Sequence, residues 1–154
     1  IDVDRRNSLA VTHTAQHIVS AMANELWDAT TVGNQLGEKE SRIDLLFEDK
    51  TRFTQQVIQD NVNEILGSNT LVTVANWTAE EILSDDRVRN RSFVSRILER
   101  LPSHVEHMRV VNIEGIDICP CAGSHVDNLS QLPQIEITRI KQKGAGKIRL
   151  YYSM

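Results

Sequence analysis

Two cysteines are all this sequence has, Cys119 and Cys121, set either side of Pro120. A disulfide across one intervening residue is badly strained, so a reduced compartment and a metal or catalytic role for the thiols are expected. Proline is scarce too. Pro102, Pro120 and Pro133 form no Pro-rich linker, and no repeat or low-complexity segment divides the chain, so one domain over residues 1–154 is expected. No apolar run approaches the roughly 18–20 residues needed to cross a bilayer, and no charged-then-apolar leader opens the sequence. The expected compartment is therefore the cytoplasm. Positive charge is not in excess: 17 Lys and Arg against 21 Asp and Glu leave a formal net charge of -4. That balance argues against a protein that coats nucleic acid nonspecifically, while leaving room for local basic patches.

What is present reads as an ordinary globular chain, long enough to bury a core without staples. Val11, Ala15, Ile18, Val19, Met22 and Leu26 recur at helical spacing, and Asn7 or Ser8 stands where a cap belongs, so a helix is predicted from about Val11 to Leu26. Gly33 and Gly37 punctuate the loop that follows. Ser41 to Glu48 alternates as a strand, with Ile43, Leu45 and Phe47 on one face. A second helix is predicted from Thr51 through Val57, Ile58, Val62 and Ile65, ended by Gly67. Leu71 to Trp77 is rich in β-branched residues and reads as a strand. Thr78-Ala79-Glu80-Glu81 has the form of a capping box, and Arg87 to Leu101 reads as a basic helix. Met108 to Ile113 is a predicted strand, and Gln134–Lys141 and Lys147–Tyr152 an antiparallel pair about Gly144-Ala145-Gly146. Helices and strands mixed without a strict βαβ rhythm indicate an α+β fold, a two-layer sandwich of a largely antiparallel sheet packed by helices.

Two short motifs carry chemistry. His13 and His17, four apart on the first helix, place two imidazoles on one face at a separation that one metal ion can bridge. Cys121 and His125 sit four apart in the small-residue turn Cys-Ala-Gly-Ser-His. Either motif alone is ambiguous, since paired histidines often serve packing and a lone buried cysteine is commonly inert. Together, three His nitrogens and one Cys sulfur make the donor set that zinc prefers. Such an ion would tie the N-terminal helix to a segment more than a hundred residues away. Cys119 is a possible alternate ligand, but its spacing to His125 is less suitable. His104 and His107 read as surface or capping residues.

The pairing of His-Thr-Ala-Gln-His with Cys-Ala-Gly-Ser-His-Val resembles the second additional domain of alanyl- and threonyl-tRNA synthetases. It is most similar to the free-standing alanyl-tRNA editing proteins called AlaX, in their short form. Ile116-Asp117, Asn128-Leu129, Gln35-Leu36-Gly37, Arg42-Ile43-Asp44 and the Lys143-Gly144 turn extend the resemblance along the chain. It departs at Ser124, where the family has Thr, at Ala122, where it has Gly, and at Glu38 after Gly37, where the synthetase pattern has Ser. Gln16 stands where synthetase domains often carry Thr.

The resemblance implies a zinc-containing hydrolase that deacylates mischarged tRNA, removing serine, and less often glycine, from alanine tRNA. It leaves open whether zinc, with four protein ligands, acts on the ester or only orients the substrate. Gln35, Gln16 and Ser124 are the candidate polar groups for the extra hydroxyl of serine. Arg139, Lys141, Lys143, Lys147 and Arg149 around the last hairpin are candidate contacts to RNA phosphates, and Arg87, Arg89, Arg91, Arg96 and Arg100 form a second basic patch. The alternatives are editing of another tRNA, such as threonine tRNA, and a non-catalytic zinc module that binds tRNA or a synthetase.

Overall fold

A helix of 25 residues, α1 (Val3–Trp27), runs through the middle of the molecule. Asp2 caps it by accepting a hydrogen bond from the Arg5 backbone amide at 3.0 Å. It therefore begins at Val3, and Asn7 and Ser8 lie within it rather than capping it. The first turns are polar and carry no apolar period, which hides them from a periodicity reading. Between Thr14 and Ala23 every residue is buried, whichever way it faces, because α1 packs against elements on several sides. The computed structural model describes residues 2–154, apart from the side chain of Phe93.

Four antiparallel strands form the larger sheet in the order β1 (Thr30–Gln35), β2 (Ser41–Leu46), β7 (Lys147–Ser153) and β6 (Glu136–Gln142). Ile43 pairs with Leu150 and Leu45 with Ile148, and these inward side chains pack with Ile18, Val19 and Met22 of α1 in the main core. Helix α2 (Gln55–Ile65) closes that core with Ile58 and Val62. The turn between β6 and β7 places Gly144, Ala145 and Gly146 all at positive φ, which glycine tolerates at two of the three positions.

The smaller sheet has the order β3 (Val72–Thr78), β4 (His107–Ile113), β5 (Asp117–Pro120), also antiparallel. Helices α3 (Ala79–Ser84) and α4 (Arg91–Arg100) cover it, building a separate core from Ile82, Val88, Val94, Val110 and Ile118. Thr78 and Glu81 form the expected capping box at the start of α3. The α+β class and the antiparallel pairing are as predicted, but the strands form two sheets rather than one. Helix α2 starts at Gln55 rather than Thr51, because Lys50–Arg52 makes a separate short turn. Three further elements differ. The Gly33 region is strand β1, not loop, its alternation obscured by a bulge between Thr31 and Gly33. Asp117–Pro120 is a short strand, β5. Helix α4 starts at Arg91, not Arg87, because Val88 bridges to Ile118 and Asn90 takes a left-handed conformation (φ 57°). No helix among the described residues is long and apolar enough to cross a membrane.

Candidate metal centre

His13 and His17 project from adjacent turns of α1 with ring centroids 5.0 Å apart. The chain leaving β5 brings Cys121 and His125 against them, with the His125 ring 4.3 Å from His13 and 4.6 Å from His17. One donor atom from each of the four residues lies within 4.8 Å of every other. Cys121 Sγ is 3.5 Å from His13 Nε2 and 3.4 Å from His125 Nε2. With bonds of about 2.3 Å to sulfur and about 2.05 Å to nitrogen, the S···N edge of a tetrahedral zinc site is about 3.6 Å. The donor set and its spacing therefore fit zinc.

Two of the three imidazoles are oriented from behind. Thr14 Oγ1 donates to the Ala10 carbonyl at 2.8 Å, so it can only accept from His125 Nδ1, 3.1 Å away. That assigns the Nδ1 hydrogen to His125 and leaves Nε2 free toward the cluster. His17 Nδ1 donates to Asp117 Oδ2 at 3.0 Å, which directs its Nε2 inward in the same way. Asp117 is held by the buried Arg89, whose Nε and Nη2 reach its two oxygens at 2.8 and 3.0 Å. Arg109 donates to the carbonyls of Cys121 and Gly123 and so shapes the turn. At Gly123 only glycine fits, since a Cβ would stand 2.1 Å from His13 Cε1.

The two thiols differ in kind. Burial alone would raise Cys121, but the imidazoles of His125, His13 and His17 and the Gly123 amide outweigh it and bring it down to about 3, a thiolate at neutral pH. Burial and the neighbouring Asp117 charge push Cys119 up to about 12. Cys119 belongs to a second grouping with His17 and Asp117, whose carboxylate is already engaged by Arg89 and His17, so Cys121 is the better metal donor.

Beside the cluster opens a cavity of about 420 Å³ at the seam between the two cores. Val32, Val94, Ile97, Met108 and Pro120 give it apolar walls, and a polar row runs along its floor. Asn34 Nδ2 donates to Gln16 Oε1 at 3.4 Å, while Gln16 Nε2 and Thr31 Oγ1 each donate to Ser20 Oγ at 2.8 Å. Of the candidate polar groups, Gln16 lines this cavity and Gln35 does not. Strand alternation turns Gln35 onto the outer face of the larger sheet, opposite Arg42, and presents Asn34 to the cavity. Ser124 lines a different opening, beside His13 and Gly123.

The basic residues of the last hairpin share that outer face. Arg139 packs 3.8 Å from the Tyr151 ring centre and pairs with Glu40 at 2.9 Å, and Arg149 is bidentate to Asp44. Lys141, Lys143 and Lys147 are exposed. The second patch is largely consumed by carboxylates. Arg87 pairs with Asp85, Arg91 with Asp86 and Arg89 with Asp117, while Arg96 borders the cavity. His104 and His107 are exposed and outside the cluster. Asn34, Asp117, Arg89, Thr14 and Arg109 were not singled out from sequence as working parts of the site, although Thr14 sits inside the His-Thr-Ala-Gln-His motif.

A central helix carrying His-x-x-x-His is closed by a Cys-x-x-x-His turn next to an antiparallel sheet, which makes this an α+β domain built around a candidate metal centre. Residues 108–151 match the family model described as the threonyl and alanyl tRNA synthetase second additional domain. Over all of its length the chain is similar to the alanyl-tRNA editing proteins AlaX-M of Methanosarcina mazei, 33% identical, and Methanosarcina barkeri, 30% identical. It is 30% identical, over 99% of its length, to the alanyl-tRNA editing protein Aarsd1 of Mus musculus. The chain is thus a relative of the alanyl-tRNA editing proteins. It spans 59% and 61% of the two archaeal relatives and 35% of the mouse one.

Proposed function

We propose that this chain is an aminoacyl-tRNA deacylase that hydrolyses the ester of serine, and secondarily glycine, on mischarged alanine tRNA. The observation that carries this reading is the four-donor cluster, its imidazoles preset by Thr14 and Asp117, opening onto a cavity with a polar floor. His13, His17, Cys121 and His125 hold zinc, which when bound supplies Lewis-acid polarisation of an ester carbonyl. The remaining work falls to the chain's own residues. Thr14 and Asp117 accept the Nδ1 hydrogens of His125 and His17, so that each Nε2 faces the cluster. Asn34, backed by Gln16 and Ser20, binds the serine hydroxyl; alanine would leave that amide unpaired against the substrate, which disfavours it. The apolar walls Val94, Ile97 and Met108 limit water around the reacting ester. Lys141, Lys143 and Lys147, with Arg139 and Arg149 where their carboxylate partners release them, contact phosphates of the acceptor arm.

Four protein donors at tetrahedral spacing also characterise structural zinc sites, and this favours a second reading, a non-catalytic zinc module that binds tRNA or a synthetase. The test is deacylation of alanine tRNA charged with serine, beside the same tRNA charged with alanine. Rapid loss of serine with alanine spared supports the deacylase. Loss of neither, with one zinc per chain in the sample and threonine tRNA bearing serine equally untouched, supports the binding module.

A further inference from the structure

His13 is a partition. On one side it lines the 420 Å³ cavity, and on the other a groove of about 730 Å³ bounded by Asp2, Arg5, Arg6, Leu9, Leu36, Gly123 and Ser124. Residues 2, 5, 6, 9 and 13 follow the i, i+3, i+4, i+7 spacing of one helix stripe, so the groove runs along α1 from the metal centre to Arg5 and Arg6. At 1.5 Å per residue, Arg6 lies about 10 Å along the axis from His13.

The charges at its far end are not tightly paired, unlike five other arginines of the molecule. Arg87, Arg89, Arg91, Arg139 and Arg149 are each tied to a carboxylate at 2.6–2.9 Å. Arg6 has no such partner among the described residues, and Arg5 meets Glu38 only at 3.5 Å, both side chains being about two-thirds exposed. An anion in the groove would meet both guanidiniums.

We propose that Arg5 and Arg6 form a phosphate subsite, taking the 5′-phosphate of the terminal nucleoside whose ester is presented to the metal centre. The subsite rests on the deacylase reading for its substrate, but binding tests it separately. Metal centre and subsite then hold one nucleotide at both ends, with the acyl group directed into the 420 Å³ cavity and the phosphate along the groove. Asp2 at the groove mouth is committed to capping α1.

The experiment compares adenosine 5′-monophosphate with adenosine as ligands of the zinc-loaded chain, by NMR titration at low and moderate salt. The wild type should bind the phosphate-bearing ligand at least about tenfold more tightly, the size of one charge-assisted hydrogen bond. Arg5→Ala/Arg6→Ala should lose that preference with zinc content unchanged. Arg52→Ala, a cation next to Phe53, which packs on Trp27 about 30 Å from Arg6 at the other end of α1, should keep it. Equal preference in the double variant and the wild type overturns the subsite, even if the chain deacylates seryl-tRNA. A preference lost only in the double variant supports it, even if deacylation fails and the enzymatic reading falls. A preference lost equally in Arg52→Ala reduces the effect to net charge and overturns it.

Discussion

Arg89 grips both oxygens of Asp117, and one of those oxygens receives the Nδ1 hydrogen of His17. This chain of contacts joins the wall of the cavity to the candidate metal centre across the seam between the two cores. Asp117→Asn should weaken zinc binding by about 10–100-fold, the usual result of losing the carboxylate behind a metal-bound imidazole. It should also cost about 3–5 kcal/mol of stability, since the buried guanidinium loses its counter-charge. Competition with a chelator and denaturant unfolding measure the two effects; unchanged zinc affinity would remove Asp117 from the site.

Acid should expose the same relationship. Burial alone would raise the Asp117 carboxyl, but hydrogen bonds from His17 and Arg89 outweigh it and hold it below the ordinary range. A depressed folded-state value means that its stabilisation is complete above the unfolded value of about 3.9 and is lost as pH falls through the folded one. Metal-free protein should therefore unfold more readily at pH 3 than at pH 7, and Asp117→Asn should flatten that dependence. An identical pH slope in both proteins would contradict the assignment.

Gly123→Ala tests how closely the turn approaches α1. The new Cβ would meet side-chain ring atoms of His13 at 2.1 and 2.4 Å, so either the turn or the imidazole must move. Zinc content should drop well below one per chain while far-ultraviolet circular dichroism stays unchanged. Cys121→Ser should have the same outcome by removing the thiolate.

Asn34 and Gln35 are neighbours with opposite expectations. Asn34→Ala should lower kcat/KM for serine ester hydrolysis by roughly tenfold or more, because an unpaired hydroxyl in the cavity is costly. Gln35→Ala, on the outer face of the sheet, should change it less than twofold. A reversal of the two effects would show that β1 has the other register.

The two motifs were legible in sequence because their spacing is itself the geometry. One helical turn separates His13 from His17, and one tight turn separates Cys121 from His125. Buried strands β2 and β7 and the capping box at Thr78 were equally legible, since alternation and caps are local patterns. Strand β1 was not, because its bulge breaks the alternation and its pairing with β2 is made by backbone atoms.

By itself, the sequence determined the α+β class, the four donors and the small residues that let them meet. Tertiary structure alone decided that Asn34 rather than Gln35 faces the cavity, and that Arg89 is buried on Asp117 rather than offered to phosphate. It likewise decided that Thr14 and Asp117 aim the imidazoles. Each of these depends on which side of a strand a residue falls, or on an ion pair between positions far apart in the chain, and neither leaves a periodic trace in the sequence.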